Sequence, residues 1–173
     1  RGPNDGGNYE GEWADDTSGY FLISDVGRKR KHNEDSCILC VPDDETVRDQ
    51  RGIILAVADG MGGASAGEYA SRLTLIELVK HYYDNESNSI PDALQIAIKK
   101  ANSQVFEESE ADPELQGMGT TCSAVVLHGT NAYIGQVGDS RVYLLRESNG
   151  LSQLTDDHSL VWEQMKAGII TEE

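Results

Sequence analysis

Four carboxylates in this chain stand beside glycines or basic residues at points where apolar runs begin or end. Glu34 and Asp35 close the segment Gly27-Arg-Lys-Arg-Lys-His-Asn-Glu-Asp35; Asp59 ends the run Gly52-Ile-Ile-Leu-Ala-Val-Ala58 and opens Asp59-Gly-Met-Gly-Gly63; Asp139 lies in Gly138-Asp-Ser-Arg141. A carboxylate fixed at a strand end can coordinate a hard divalent cation, and the carbonyl of Gly60, bare of a side chain, can join it. The same string also reads as a tight strand-to-helix turn with Asp as capping material, although three glycines in four residues exceed what capping needs. Segment 27–35 alone reads rather as an exposed hairpin connection with solvated charges. Taken together, Asp59, Glu34, Asp139 and the preceding Arg30 have the composition of a site that holds divalent metals and, with the arginine, a phosphate.

Other chemistries find less support. The sequence has no Gly-x-Ser-x-Gly elbow and no phosphate-binding Gly-x-x-x-x-Gly-Lys loop. His32, His81, His128 and His158 are scattered and read as structural or solvated. Cys37-Ile-Leu-Cys40 looks like a redox or zinc string, but in an extended stretch residues three apart point to opposite faces, and no second Cys/His pair follows at zinc spacing. These cysteines read as small core residues, and an odd total of three points to a reducing compartment, hence the cytoplasm. The net charge of −16 repels nucleic acid and anionic lipid headgroups, and no apolar run approaches the roughly 18 residues of a membrane helix.

The elements that must position the carboxylates follow from periodicity. At 173 residues the chain fits one domain. Residues 1–17, rich in Gly, Asn and acid, read as a flexible leader. Strand-like runs cover 20–26, 35–41 and 52–58. From 65 to about 84 the period becomes helical, with Tyr69, Leu73, Ile76, Val79 or Lys80, and Tyr83 near one stripe. A second helix spans about 91–107, with Leu94, Ala97, Ile98, Ala101 and Val105 inward and Pro91 tolerated in the first turn. Strands return at 120–127, 132–137 and 141–146, and a last helix is expected at about 158–167, ended by Gly168. Strands, then helices, then an antiparallel meander is an α+β order, and a layered sandwich fits it.

At these residues the chain resembles the metal-dependent protein phosphatases of the type 2C family, in their bacterial branch. The resemblance rests on Ser24-Asp-Val-Gly-Arg-Lys-Arg-Lys-His-Asn-Glu-Asp35, Val57-Ala-Asp-Gly-Met-Gly-Gly63, Gly117-Met-Gly-Thr-Thr121, Gln136-Val-Gly-Asp-Ser-Arg-Val-Tyr143 and Leu154-Thr-Asp-Asp-His-Ser159, in the family's order. It covers residues 18–173 and implies a four-layer αββα sandwich of two mainly antiparallel sheets, with metals between the sheets. Position by position it implies that Asp59 bridges two Mn²⁺ or Mg²⁺ ions and that the Gly60 carbonyl binds one. Glu34 would hold the second, with Asp35 supporting from behind; Asp139 would correspond to the ligand of a third, weaker ion, and Arg30 would grip the substrate phosphate. The implied reaction is hydrolysis of phosphoserine or phosphothreonine in proteins by a hydroxide held between the ions. Where some members carry a histidine this chain has Met61, so metal-bound water must protonate the leaving group.

One departure stands out. Two further acidic ligands come, in the family, from C-terminal segments, an Asp-Gly and an Asp-Asn, which these residues lack. The expectation is therefore that the C-terminal strands and ligands come from a further segment or from a second chain. A rival reading is a catalytically silent phosphatase-like fold that binds phosphoprotein or partner without turnover. A generic acidic Ca²⁺ protein has no Asp-x-Asp-x-Asp loop behind it.

Overall fold

The computed structural model describes residues 7–16, 18–62, 64–87 and 89–159. The first two strands, β1 (Tyr9–Ala14) and β2 (Gly19–Ser24), form an antiparallel hairpin in which Trp13 stands opposite Tyr20. Their rings lie 5.2 Å apart. Residues 9–14 are thus not part of a flexible leader. Their composition of Gly and Glu hides a period of two, in which Tyr9, Gly11 and Trp13 turn to the half-buried side and Glu10 and Glu12 to solvent.

A central antiparallel sheet follows. It consists of β3 (Asp35–Cys40), β4 (Ile53–Met61), β6 (Cys122–His128) and β7 (Asn131–Val137) in the order β3-β4-β6-β7, and the short β5 (Gly119–Thr120) pairs with the end of β4. A third hairpin, β8 (Tyr143–Arg146) with β9 (Gly150–Gln153), completes three antiparallel sheets. The α+β class stands as expected. β9 had no apolar run to announce it: all four of its residues are exposed.

Between β3 and β4 lies α1 (Glu45–Arg51), a polar helix with no buried residue, which periodicity cannot detect. Its ends hold it. The Asp44 carboxylate accepts the Thr46 N–H at 2.8 Å, and Gly52, at φ +75°, closes it by donating its N–H to the Arg48 carbonyl. The expected helix at 158–167 lies outside the described residues.

Two longer helices, α2 (Ala64–Tyr83) and α3 (Ile90–Ala111), cover one face of the central sheet. The core between them contains Ile54, Ala56, Leu78, Tyr82, Leu94, Ala97, Ala124 and Val126. Ser89 caps α3 and Pro91 sits in its first turn, as expected. The stripe of α2 is rotated from the expected one: Ala70, Ser71, Thr74, Leu75, Leu78 and Tyr82 are buried, while Ile76 is 53% exposed. The reason is close packing, since small residues let the helix lie against β4 where a stripe of large ones would hold it off.

The opposite face of the sheet carries its own apolar row, because Leu39, Leu55, Val125 and Ile134 stand in register across four strands. On that same face, at the end of β3 and β4, the row of side chains turns acidic.

Candidate metal centre

Asp35 and Asp59 are direct partners across β3 and β4. Side chains of directly paired residues leave the same face, so the two carboxylates project together, away from the helices. They line a cleft of about 260 Å³ with Asp25, Ser24, Ser36, Cys37, Val57 and Ser140. Burial, followed by the Asp59 charge, pushes the Asp35 carboxyl above its ordinary range, while the nearby Arg30 pulls it partly back.

Glu34 is delivered from the other side. Its backbone carbonyl accepts the Gly60 N–H at 3.2 Å and the hydroxyl of the fully buried Ser71 at 2.7 Å. Two glycines make room for this. A Cβ on Gly60 would stand 2.0 Å from the Gly67 carbonyl oxygen, and one on Gly67 would stand 3.2 Å from the Glu34 carboxyl carbon and 3.1 Å from the Gly60 carbonyl carbon. Helix α2 therefore presses on the strand end with backbone alone, and the Glu34 carboxyl carbon and the peptide that follows Gly60 both border the space where a Gly67 side chain would stand. Arg30 stands at the rim, 3.8 Å from Glu34.

Asparagine 33 fixes the turn that carries Glu34 and Asp35. Only 4% exposed, it donates to the Ser24 hydroxyl at 2.7 Å and to the Gly7 carbonyl, and it accepts the Asp35 N–H at 3.1 Å. A buried amide with its partners satisfied resists rotation of the backbone on either side.

Asp59 is held by the stretch Gly119-Thr-Thr121. The Asp59 N–H donates to the Thr121 hydroxyl at 2.9 Å, and the Asp59 carbonyl accepts both the Thr121 N–H and the Thr120 hydroxyl. The Thr121 hydroxyl also pairs with Ser140 at 2.8 Å, linking Asp59 to the turn that contains Asp139. That turn is tied down by Gln136, which donates to the Gly138 and Ser140 carbonyls, and by His158, whose backbone N–H donates to the Gly138 carbonyl. Asp139 itself is exposed and does not line the cleft.

Asp35 and Asp59 thus share the cleft, Glu34 and Gly60 meet at the adjoining strand ends on the helix side with Arg30 beside Glu34, and Asp139 is brought near through its neighbour Ser140. Asp25, Asn33, Thr121 and Ser140 had no role in the sequence reading, although all lie in or beside its motifs. Strand register was the missing information, since it alone sets Thr121 beside Asp59. The three cysteines are free, and Cys37 and Cys40 point to opposite faces of β3, one towards the cleft and one towards the helices.

An oxygen-only donor set of carboxylates and a bare peptide fits a hard divalent cation. Among the described residues no three Asp, Glu, His or Cys side chains converge as a closed ligand set. These donors make up at most one side of a coordination sphere.

The chain matches the family described as Protein phosphatase 2C over residues 21–163. It is 36% identical over 154 residues to the serine/threonine protein phosphatase PstP of Mycobacterium tuberculosis, covering 89% of this chain and 28% of that protein. To the serine/threonine phosphatase stp of Listeria welshimeri it is 38% identical, covering 87% of this chain and 58% of that protein. Among solved structures, the catalytic domain of PstP in complex with two manganese ions superposes with a TM-score of 0.67 at 36% identity, over 84% of this chain and 58% of that one. The Streptococcus agalactiae serine/threonine phosphatase does so at 0.72 and 32% identity, over 86% and 59%. The chain thus spans less than two thirds of the length of these relatives. With matching motifs, matching topology and a family match that runs through every strand from β3 to β9, the chain belongs to the protein phosphatase 2C family.

Proposed function

We propose that the whole protein hydrolyses phosphoserine and phosphothreonine in proteins with the help of Mn²⁺ or Mg²⁺. The observation that carries this reading is the in-register pair Asp35 and Asp59, flanked by Glu34, whose carbonyl accepts the Gly60 N–H, and by Arg30 beside Glu34. Asp59, Glu34 and the Gly60 carbonyl would hold the ions, with Asp35 supporting them from behind, and Asp139 would hold a further, weaker one. Bound there, the ions supply an acidified water and neutralise charge on the phosphoryl group.

The chain's own residues do the rest. Arg30 orients the phosphate by charge-assisted hydrogen bonds, and the Thr121 and Asn33 networks keep Asp59, Glu34 and Asp35 from relaxing away when the ions are absent. The remaining ligands come from a segment or a second chain outside the described residues. The open ligand wall supports that reading, as do the exposed apolar side chains Phe21, Ile23, Leu145 and Leu151 on the two outer hairpins. The phosphatase-like domain takes in residues 18–173 and, through the β1–β2 pairing, reaches back to Tyr9. A cytoplasmic setting suits three unpaired cysteines; no helix among the described residues is long and apolar enough to cross a membrane.

The test is release of phosphate from a phosphothreonine peptide by the full-length protein. Turnover should require Mn²⁺ or Mg²⁺ and vanish in Asp59→Asn. Undiminished turnover in excess chelator sinks the reading, and peptide binding without any turnover favours a silent binding fold instead.

A further inference from the structure

The run Arg28-Lys29-Arg30-Lys31-His32 remains only partly explained by a phosphatase site, which needs Arg30 alone. Four of the chain's 14 Lys and Arg residues fall in these consecutive positions, in a protein that carries 30 acidic residues. All five side chains are exposed. Arg30 pairs with Glu34, whereas Arg28, Lys29 and Lys31 form no ion pair with any described residue, despite the surrounding excess of carboxylates.

The run is not a loose connection. At its start the Asp25 carboxylate accepts the Gly27 N–H at 2.7 Å and the Asn8 amide at 3.0 Å, and the Asn8 side chain accepts the Val26 N–H at 2.8 Å. At its end the buried Asn33 ties it to Ser24. Both anchors also border the acidic cleft, where Ser24, Asp25 and Asp35 line the wall. A rigid base thus presents adjacent like charges, which repel one another, at the rim of the cleft, and among the described residues none neutralises Arg28, Lys29 or Lys31.

We propose that Arg28, Lys29 and Lys31 form a cationic docking edge that selects phosphoprotein segments with carboxylate side chains flanking the phosphoresidue. The proposal rests on the phosphatase reading and names its substrate class. Arg28 is two residues and Lys31 one residue from Arg30, so the edge spans at most about 10 Å of backbone, which an extended peptide covers in about three residues. The carboxylates it reads lie within about three positions of the phosphoresidue. In a protein of charge −16, such an edge also offsets the repulsion that an acidic substrate would otherwise meet on approach.

The experiment compares three phosphothreonine peptides of equal length, with acidic, neutral or basic flanks, on full-length parent and on the variant Arg28→Gln/Lys29→Gln/Lys31→Gln. The parent should favour the acidic peptide at low salt, and that preference should shrink towards none in about 0.5 M salt as screening shortens the range of each charge. The variant should lose about tenfold in kcat/KM on the acidic peptide, while the neutral peptide and an aryl phosphate are hydrolysed as by the parent. No acidic preference in the parent, or an unchanged preference in the variant, overturns the proposal. The salt series needs no variant, so it decides the matter even where the substituted protein folds poorly. If no phosphoester is hydrolysed under any metal condition, the phosphatase reading fails separately. Fluorescence anisotropy of the labelled acidic phosphopeptide then decides the docking edge: binding that the variant weakens upholds it, and equal binding refutes it.

Discussion

Asp35 and Asp59 face each other across adjacent strands on the same side of the sheet, so two carboxylates compete for charge in one cleft. Burial and this neighbour raise the Asp35 carboxyl above its ordinary value of 3.8. The folded, metal-free protein then binds a proton there more tightly than the unfolded chain does. The contribution of Asp35 to stability is therefore fully present below that ordinary value and is lost as the pH rises through the raised one. At pH 7 without metal, Asp35→Asn should be more stable than the parent, by at most about 1 kcal/mol because the pair is partly solvated. Thermal melts in chelator should show this gap closing near pH 4. Saturating Mn²⁺ should reverse the order, and a variant less stable than the parent in chelator would contradict the repulsion.

Asp59→Asn removes the charge that the proposed bridge depends on but keeps the backbone contacts with Thr121, which involve only the Asp59 N–H and carbonyl. The variant should fold and melt close to the parent in chelator. Its Mn²⁺ affinity, read by calorimetric titration, should fall by more than about tenfold. Tight metal binding by this variant would remove Asp59 from the ligand set.

Arg30→Ala separates substrate from metal. An exposed arginine 3.8 Å from Glu34 adds little to stability. Its loss should raise KM for a phosphopeptide by a charge-assisted interaction of about 1.5–3 kcal/mol, with metal affinity near that of the parent. Metal affinity and activity falling in step would instead make Arg30 a support for Glu34.

The main α+β plan was legible because its signals are local. The run 52–58 and the stripe Leu94, Ala97, Ala101, Val105 each carry their own period, although β4 runs on through Gly60 to Met61, past the end that the run marks. What could not be read was either too polar or too distant. Helix α1 buries nothing, and β1 hides its alternation among Gly and Glu. The hold of Thr121 on Asp59 joins residues 62 apart in sequence, and nothing in Gly-Met-Gly-Thr-Thr says which hydroxyl will face which N–H until β4, β5 and β6 are in register. Glycine 60 was expected to be small for a metal's sake. The structure adds a second cause, the carbonyl of Gly67 in α2.

Thr121→Val tests the hydroxyl link. The substitution keeps the shape but leaves the Asp59 N–H without its side-chain acceptor and the Ser140 hydroxyl without the Thr121 hydroxyl. The expected loss is about 1–3 kcal/mol of stability, together with weaker Mn²⁺ binding as Asp59 gains freedom. Thr121→Ser should restore both. Rescue of stability without rescue of metal affinity would show that the hydroxyl supports the fold but does not position Asp59.

The two glycines at the contact of β4 with α2 predict opposite outcomes. In Gly60→Ala the new methyl meets two backbone oxygens, Gly67 at 2.0 Å and Glu34 at 2.7 Å. Backbone cannot rotate aside as a side chain can, so helix and strand must separate, at a loss of about 3 kcal/mol or more. Gly67→Ala is milder, with nearest approaches of 3.1 Å to the Gly60–Met61 peptide and 3.2 Å to the Glu34 carboxyl carbon. It also gains up to about 1 kcal/mol of helix propensity within α2, so its melting temperature should stay near that of the parent. The Glu34 carboxylate, however, must give way by a few tenths of an ångström. Mn²⁺ titration should therefore show weakened binding in a protein of undiminished stability. Parent-like affinity in Gly67→Ala would mean that Glu34 can move without consequence, and would take it out of the direct ligand set.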